Sequence, residues 1–221
     1  MTARRTPEEH AITAPQLPLR LPPGTLPGGA LHDEEIIRQL LLTNIDVSTQ
    51  AARDVLLEQV HWQRGRLVSA RLVAAHLRDV RFSHCDLSQT LLEKAALQRV
   101  ELLTCRLTGL QANDCRFQDL LLRDCHGQYA GFAGGVFKGA RFERCVLRDA
   151  SFLDADLTGA IFLDCDLTNA DLLGARLTGA DLRGSTIDGL RVGLKELQGI
   201  KVDLLQAGSL LRGLGATVLL D

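Results

Sequence analysis

The sequence predicts an all-β repeat architecture, a solenoid closed by caps at both ends. Three observations carry this. From Leu67 to Val202 every fifth residue falls on one row of 28 positions, and 26 of them are Leu, Phe, Ile or Val, with Ala112 and Gly127 the exceptions. All seven Phe of the chain lie on that row. Two residues earlier runs a second row, mostly Ala, Cys, Gly, Val, Thr or Ser, and it holds all six Cys: Cys85, Cys105, Cys115, Cys125, Cys145 and Cys165. A period of five matches neither the helical period of about 3.6 nor the strand period of about 2. It suits a short bridge followed by a corner. Held this long, it marks a repeat fold in which each unit buries its apolar residue only by stacking on its neighbours.

Taken in order, residues 1–31 read as a Pro- and Leu-rich N-terminal arm. Its first dozen residues have the composition of a disordered end. Leu17, Leu19, Leu21, Leu26 and Leu31 then punctuate the prolines, which predicts an extended segment over 16–31 lying along an apolar face of the rod. All six Pro lie between Pro7 and Pro27 and none follows, as expected if every later coil donates N–H groups to a ladder. Asp33 offers a helix N-cap, with Glu34 and Glu35 in the first turn. Ile36, Ile37, Leu40 and Leu41 make one face of a short helix stopped at Asn44. Val47, Ala52, Leu57 and Trp62 already keep the five-residue phase. Residues 32–64 therefore read as a helix and a degenerate first coil, with Trp62 plugging its end. The solenoid proper runs over 65–202. After Val202 the period changes. Leu204, Ala207, Leu211 and Leu214 mark a helical face ended by Gly213 or Gly215, and Ala216–Leu220 reads as a short strand. Residues 203–221 are thus a helix–strand cap, with a homodimer interface as the second reading.

The repeat unit is clearest in Ala155-Asp156-Leu157-Thr158-Gly159, Cys165-Asp166-Leu167-Thr168-Asn169 and Ala180-Asp181-Leu182-Arg183-Gly184. This resembles the pentapeptide-repeat family over roughly two-thirds of the chain. The resemblance implies a right-handed quadrilateral β-helix with four pentapeptides per coil, the central and small residues pointing inward, and a bacterial protein. Seven coils at about 4.8 Å would make a rod roughly 34 Å long. In that frame Cys85, Cys105, Cys125, Cys145 and Cys165, each one coil from the next, stack up one inner corner, with Cys115 opposite. They are expected to be buried, reduced and inert, packed as small hydrophobes. Their spacing is neither that of a zinc site nor suited to a relaxed disulfide.

Outward positions 20 residues apart stack on successive coils. Opposite charges meet there: Arg66, Asp86 and Arg106; Arg81 and Glu101; Asp156, Arg176 and Glu196; Asp171 and Arg191; Asp181 and Lys201. Between Arg64 and Arg106 eight basic residues face four acids, and between Asp154 and Asp188 seven acids face two Arg. The acidic stretch, with Asp154, Asp156, Asp164, Asp166, Asp171 and Asp181, reads either as solvated consensus surface or as a DNA mimic. The second option comes from the resemblance, since some members of the family resemble B-DNA and bind DNA gyrase, but here the acids are spread around several faces and the net charge is small. Outward Leu103, Leu121, Ile161 and Leu163 share one face, and Leu91, Leu153 and Leu173 share the opposite one. Contiguous apolar surface of this kind marks a contact. Gly127 to Gly135 holds four Gly and the only Tyr, and reads either as packing compensation for Phe132 and Phe137 or as a ligand-binding loop.

The 221 residues carry a net charge of −2 and are 46% hydrophobic and 4% aromatic. This bounds a single elongated domain with short ends. No run of apolar residues predicts a membrane helix, and the N-terminus lacks the apolar stretch of a secretory signal, so a cytoplasmic protein is expected. No nucleophile elbow, P-loop, zinc-protease or dinucleotide motif occurs. No catalytic residue, metal or cofactor is therefore expected, and no direct nucleic-acid binding. The expected role is a non-enzymatic protein-interaction or scaffold module with an unidentified partner. A gyrase- or topoisomerase-binding mimic giving inhibitor resistance is the first alternative, and a small-ligand binder or enzyme at Gly127–Gly135 the second.

Overall fold

Parallel pairing at a fixed offset of 20 residues organises the chain. The computed structural model describes residues 12–218. Its strands are β1 (Pro23–Gly24), β2 (Ile36–Arg38), β3 (Leu41–Thr43), β4 (Ala51–Arg53), β5 (Leu56–Gln63), β6 (Arg71–Val73), β7 (His76–Ser83), β8 (Ala96–Leu103), β9 (Arg116–Arg123), β10 (Val136–Glu143) and β11 (Ile161–Leu163). Leu57 pairs with Leu77, Leu77 with Leu97, Leu97 with Phe117 and Phe117 with Phe137. Isolated bridges such as Arg66↔Asp86, Leu91↔Gln111 and Asp181↔Lys201 continue the same register on the other sides. Each step is one coil of a right-handed quadrilateral β-helix.

The central row fills the axis. Phe132, Phe142, Phe152, Phe162, Leu67, Leu107 and Leu157 are wholly buried. Phe142 stacks on Phe162 at 4.5 Å, and Phe117 on Phe137 at 4.3 Å. In the mostly Leu-lined part of the row, from Leu67 to Phe132, the axis keeps an apolar void of about 20 Å³. Gly127 to Gly135 forms a regular coil and not a loop: Gly127 N–H donates to Val146 C=O at 2.7 Å, and Ala130 N–H closes the turn onto Gly127 C=O. A side chain at Gly135 would meet Phe137 at 3.0 Å and Phe132 C=O at 2.9 Å, so the glycine here makes room for the phenylalanines.

Two kinds of corner occur along the rod. At one kind the turn closes on itself, as where Ala70 N–H donates to Leu67 C=O at 3.0 Å. At the corner after Trp62 the corresponding groups turn instead to Cys85. Its Sγ accepts Gly65 N–H at 3.3 Å and donates to Trp62 C=O at 3.2 Å. The pattern climbs the rod: Cys105 donates to Phe82 C=O, Cys125 to Leu102, Cys145 to Leu122 and Cys165 to Phe142. Ser185 ends the column in the same role, donating to Phe162 C=O at 3.1 Å and accepting Cys165 N–H at 2.9 Å. All six thiols are buried and unbridged. Those in the column are thus also hydrogen-bonding groups that complete open corners, beyond the small hydrophobes that spacing suggests. Burial pushes the Cys115 thiol up to about 11.

The N-terminal region departs from expectation. Residues 36–43 form β2 and β3, not a helix, and pair with β5. Ile37 and Leu42 are buried in the five-residue phase, while Ile36 is exposed. A helix there would satisfy its own backbone but leave the β5 edge unpaired. Pairing goes one coil further back: β1 pairs with β3, and Leu26 and Leu31 are buried in the core. Residues 21–31 are accordingly part of the N-terminal closure, and only the segment before them lies along the rod. Trp62 does not plug an end. It sits inside, paired with Leu42 below and stacked on Phe82 at 6.0 Å above.

At the other end, α1 spans Leu204–Gly213 behind a capping box of Asp203 and Gln206. Its buried face is Gln206 and Leu210. Gln206 Nε2 donates to Leu182 and Ser185 C=O, both at 2.6 Å, which ties the helix to the last coil. The expected face of Leu204 and Leu211 points outward. Residues 216–218 form no strand, and 219–221 lie outside the described residues.

Candidate interaction surfaces

The coil presents four flat sides, and outward residues on each are ordered by the same 20-residue register. Leu103, Leu121, Ile161 and Leu163 do share one side, and Leu91, Leu153 and Leu173 the opposite one, but neither is a continuous apolar strip. Leu121 and Ile161 are only 6% and 8% exposed. Leu103, Leu163, Leu91 and Leu173 are half-buried, and Leu153 is the most exposed of the set. Charged residues separate them: Glu101 and Arg141 flank Leu121 in register, and Asp171 bridges to Ser151 and Arg191.

The charged columns are largely self-neutralised. Arg81 meets Glu101 at 2.6 Å, and Arg106 meets Asp86 at 3.4 Å. Arg66 turns down to Asp46 instead. Arg99 holds Asp79 through two bonds of 2.6 and 2.7 Å, and Arg144 holds Asp124 through two of 2.7 and 2.9 Å. Among the acidic candidates, Asp156 pairs with Arg176, Asp166 with Arg148, Asp171 with Arg191 and Asp181 with Arg183. Asp156 and Asp166 also accept from the N–H and hydroxyl of Thr158 and Thr168. Burial works to raise both carboxyls, but those hydrogen bonds and the facing Arg outweigh it and hold them below the usual carboxylate range. Asp154 and Asp164 sit at corners in the left-handed backbone region. The six acids are distributed around the rod and do not form one stripe.

Two surfaces lie outside the candidate residues named from the sequence, although the C-terminal cap is already offered there as a second-choice dimer interface. The first is at the C-terminal end, where Leu194, Leu204 and Leu205 are 77%, 88% and 82% exposed, with Leu211 and Leu214 beside them in sequence and also exposed. The leucine spacing signals the helix, but which side it buries depends on Gln206, a residue no hydrophobic pattern selects. The second is a corner track crossed by the N-terminal arm. Thr13 N–H donates to Asp119 Oδ1 at 3.2 Å, Gln16 N–H to Asp79 Oδ1 at 2.8 Å, and Gln59 Nε2 to Gln16 C=O at 2.9 Å. Pro15 is buried. Ile12, Thr13 and Ala14 line a cleft of about 210 Å³ with Leu121, Arg123 and Arg141. Among the described residues no cluster could hold a metal ion, and no helix is long and apolar enough to cross a membrane.

A repeat of five stacked four to a coil, with Leu or Phe in the axis and Cys or Ala at the corner, defines a class of β-solenoid. The chain belongs to the pentapeptide-repeat family: a pentapeptide repeat region is matched over residues 75–152, and nine copies of pentapeptide repeats over residues 142–189. Among solved structures it is similar to a trypsin-treated variant of QnrB1, a plasmid-mediated fluoroquinolone resistance protein. Identity is 23% and the TM-score 0.48, over 86% of this chain and 97% of that one. It is also similar to HetL, a pentapeptide repeat protein involved in heterocyst differentiation regulation from the cyanobacterium Nostoc, at 18% identity and a TM-score of 0.40, covering 76% and 87%. Rfr23 from the cyanobacterium Cyanothece follows at 17% identity and a TM-score of 0.28, covering 62% and 91%. No curated protein matches the chain.

Proposed function

We propose that the chain is a non-enzymatic interaction module of the cytoplasm whose main contact surface is the C-terminal cap, and that its first partner is a second copy of itself. The exposed leucines of the cap carry this reading. Leu194, Leu204, Leu205, Leu211 and Leu214 gather at one end of a rod whose flanks are otherwise ion-paired. Large exposed apolar side chains close together mark a contact. A single such patch on one copy favours an isologous, two-fold pairing, which closes without growing into a filament. Other proteins would then be bound by the doubled rod.

The DNA-mimic alternative has less support. A mimic needs unpaired negative charge in a stripe, whereas Asp156, Asp166, Asp171 and Asp181 each have an Arg partner. The ligand-site alternative at Gly127–Gly135 loses its basis with the regular coil found there. Sedimentation equilibrium tests the proposal. The full chain should sediment as a dimer, and the double substitution Leu204→Glu with Leu205→Glu as a monomer of unchanged thermal stability. A wild-type monomer at all concentrations would reject the proposal.

A further inference from the structure

We propose that one side of the rod binds a single strand of nucleic acid, along a basic groove that leads to an exposed tyrosine. The groove follows one corner over four coils and has a volume of about 280 Å³. Arg64 and His84 stand on that corner, in the left-handed backbone region. Arg66, Asp86, Arg106 and His126 form the column beside it, each bridged to the next coil. The inward residues Gly65, Cys85 and Cys105 separate the two rows, so backbone makes the floor. All five basic residues of the rim are exposed. Three guanidinium groups and two imidazoles thus line the groove against one carboxylate, Asp86. The ion pairs here are loose. Arg106 lies 3.4 Å from Asp86 and Arg66 lies 3.4 Å from Asp46, with the two Arg side chains 68% and 61% exposed. Arg64 donates to the neutral Asn44 at 3.1 Å. On the next side Arg81 closes on Glu101 at 2.6 Å. The net charge of −2 hides this groove, because the acids gather in later coils.

Charge alone would suit any anionic chain. Two further features favour a nucleic acid. All three cations are Arg, whose planar fork matches phosphate oxygens and also stacks on flat rings. The same side carries the only Tyr of the chain. Tyr129 is 57% exposed and stands at the next corner of the coil that holds His126, with Gln128 before it in sequence. Single strands are held without sequence preference by this combination, a positive groove for the backbone and an aromatic ring for a base. Only an unpaired base offers its face to such a ring, so a duplex does not fit. From Arg66 to His126 the column climbs three coils, about 14 Å at about 4.8 Å per coil. At about 3.4 Å per stacked nucleotide this admits about four, the lower end of the range for single-strand-binding modules. Above His126 the column turns to Val146 and Asp166, which sets its upper limit.

Fluorescence anisotropy of labelled oligo(dT) and oligo(U), titrated with the full chain at low salt, tests the groove. Affinity should fall with salt at a log–log slope of about −2, from three phosphate contacts at about −0.7 each. Arg66→Glu with Arg106→Glu should weaken binding at least about tenfold and flatten that slope. Arg176→Glu with Arg191→Glu, on two other sides, gives the same net charge and should leave binding unchanged. Tyr129→Asn should weaken binding about tenfold at unchanged slope, and Tyr129→Phe should bind as the native chain does. Asn169 holds the same corner two coils on with the same left-handed backbone, so the asparagine keeps the fold. No salt-dependent binding of either oligonucleotide, or equal losses in the two double variants, would overturn the proposal. Unchanged binding by Tyr129→Asn, with poly-glutamate displacing the oligonucleotide, would also overturn it, by assigning the groove to an acidic protein segment.

Discussion

A single inward position shows how the residues specify each other. Gly65 stands where Cys85 to Cys165 stand on later coils, and its reason is Trp62: a methyl at Gly65 would lie 2.1 Å from Trp62 Nε1. Gly65→Ala should therefore destabilise the fold by about 1–3 kcal/mol through overpacking, read as a lowered denaturation midpoint. Adding Trp62→Phe should recover a large part of that loss, since contacting residues couple. Additive losses would mean that the indole does not dictate the glycine. Asp79 gives a second residue-level test. Burial works to raise its carboxyl, but bonds from Arg99 and from Gln16 N–H prevail and lower it. With its folded value below the unfolded value of about 3.9, its stabilisation is complete above that value and is lost as pH falls through the folded one. The Gln16 amide resonance should accordingly be flat from about pH 5 to 8 and move only in acid below about pH 4. Movement near neutrality would contradict the Asp79 contact. At this scale the sequence was readable where volume decides: the Leu and Phe row and the buried Cys follow from period alone. It was not readable where a hydrogen bond decides, as with the thiols that complete open corners. A small inward residue looks the same whether or not it donates.

Elements were readable where one periodicity dominates and misread where two coexist. Ile36, Ile37, Leu40 and Leu41 fit a helix face, yet Ile37 and Leu42 also continue the five-residue row. The open edge of β5 settles the contest in favour of strands. Tertiary pairing of this kind overrides local propensity, and it cannot be seen in a window of ten residues. The arm was expected over residues 16–31 on an apolar face, whereas the stretch that docks on the rod is residues 12–16, at a corner of Asp acceptors. Leu26 and Leu31 belong to the core of the closing coil, and the leucine-poor segment 12–16 runs along the rod through its backbone. The C-terminal helix was found with its face inverted, because its anchor is an amide. Gln206→Ala removes two buried bonds to Leu182 and Ser185 and the half of the capping box in which Gln206 Oε1 accepts Asp203 N–H. It should cost about 2–4 kcal/mol, as expected when buried carbonyls lose their partners. The measurement is chemical denaturation together with hydrogen exchange across residues 204–213. Unchanged stability with a protected helix would show that Leu210 alone holds it.

For the whole molecule, the period predicted the rod and its axis, but not where along it a partner would bind. The uneven spread of acids and bases along the chain suggested a charged flank. The actual flanks are cross-linked by Arg–carboxylate pairs between coils, such as Arg81–Glu101 and Arg191–Asp171, each worth about 0–1 kcal/mol where exposed. Such pairs fix coil order more than they add stability, and they leave the apolar cap as the surface with most to gain from a partner. On the proposed reading, the rod associates by this apolar end. Small-angle X-ray scattering of the full chain tests this most directly, because it reads length as well as mass. The account predicts a particle of twice the mass and about twice the maximum dimension of one rod, collapsing to the single-rod length in Leu204→Glu with Leu205→Glu. A doubled mass at unchanged length would place the interface on a flank, and single-rod scattering at every concentration would remove the dimer altogether.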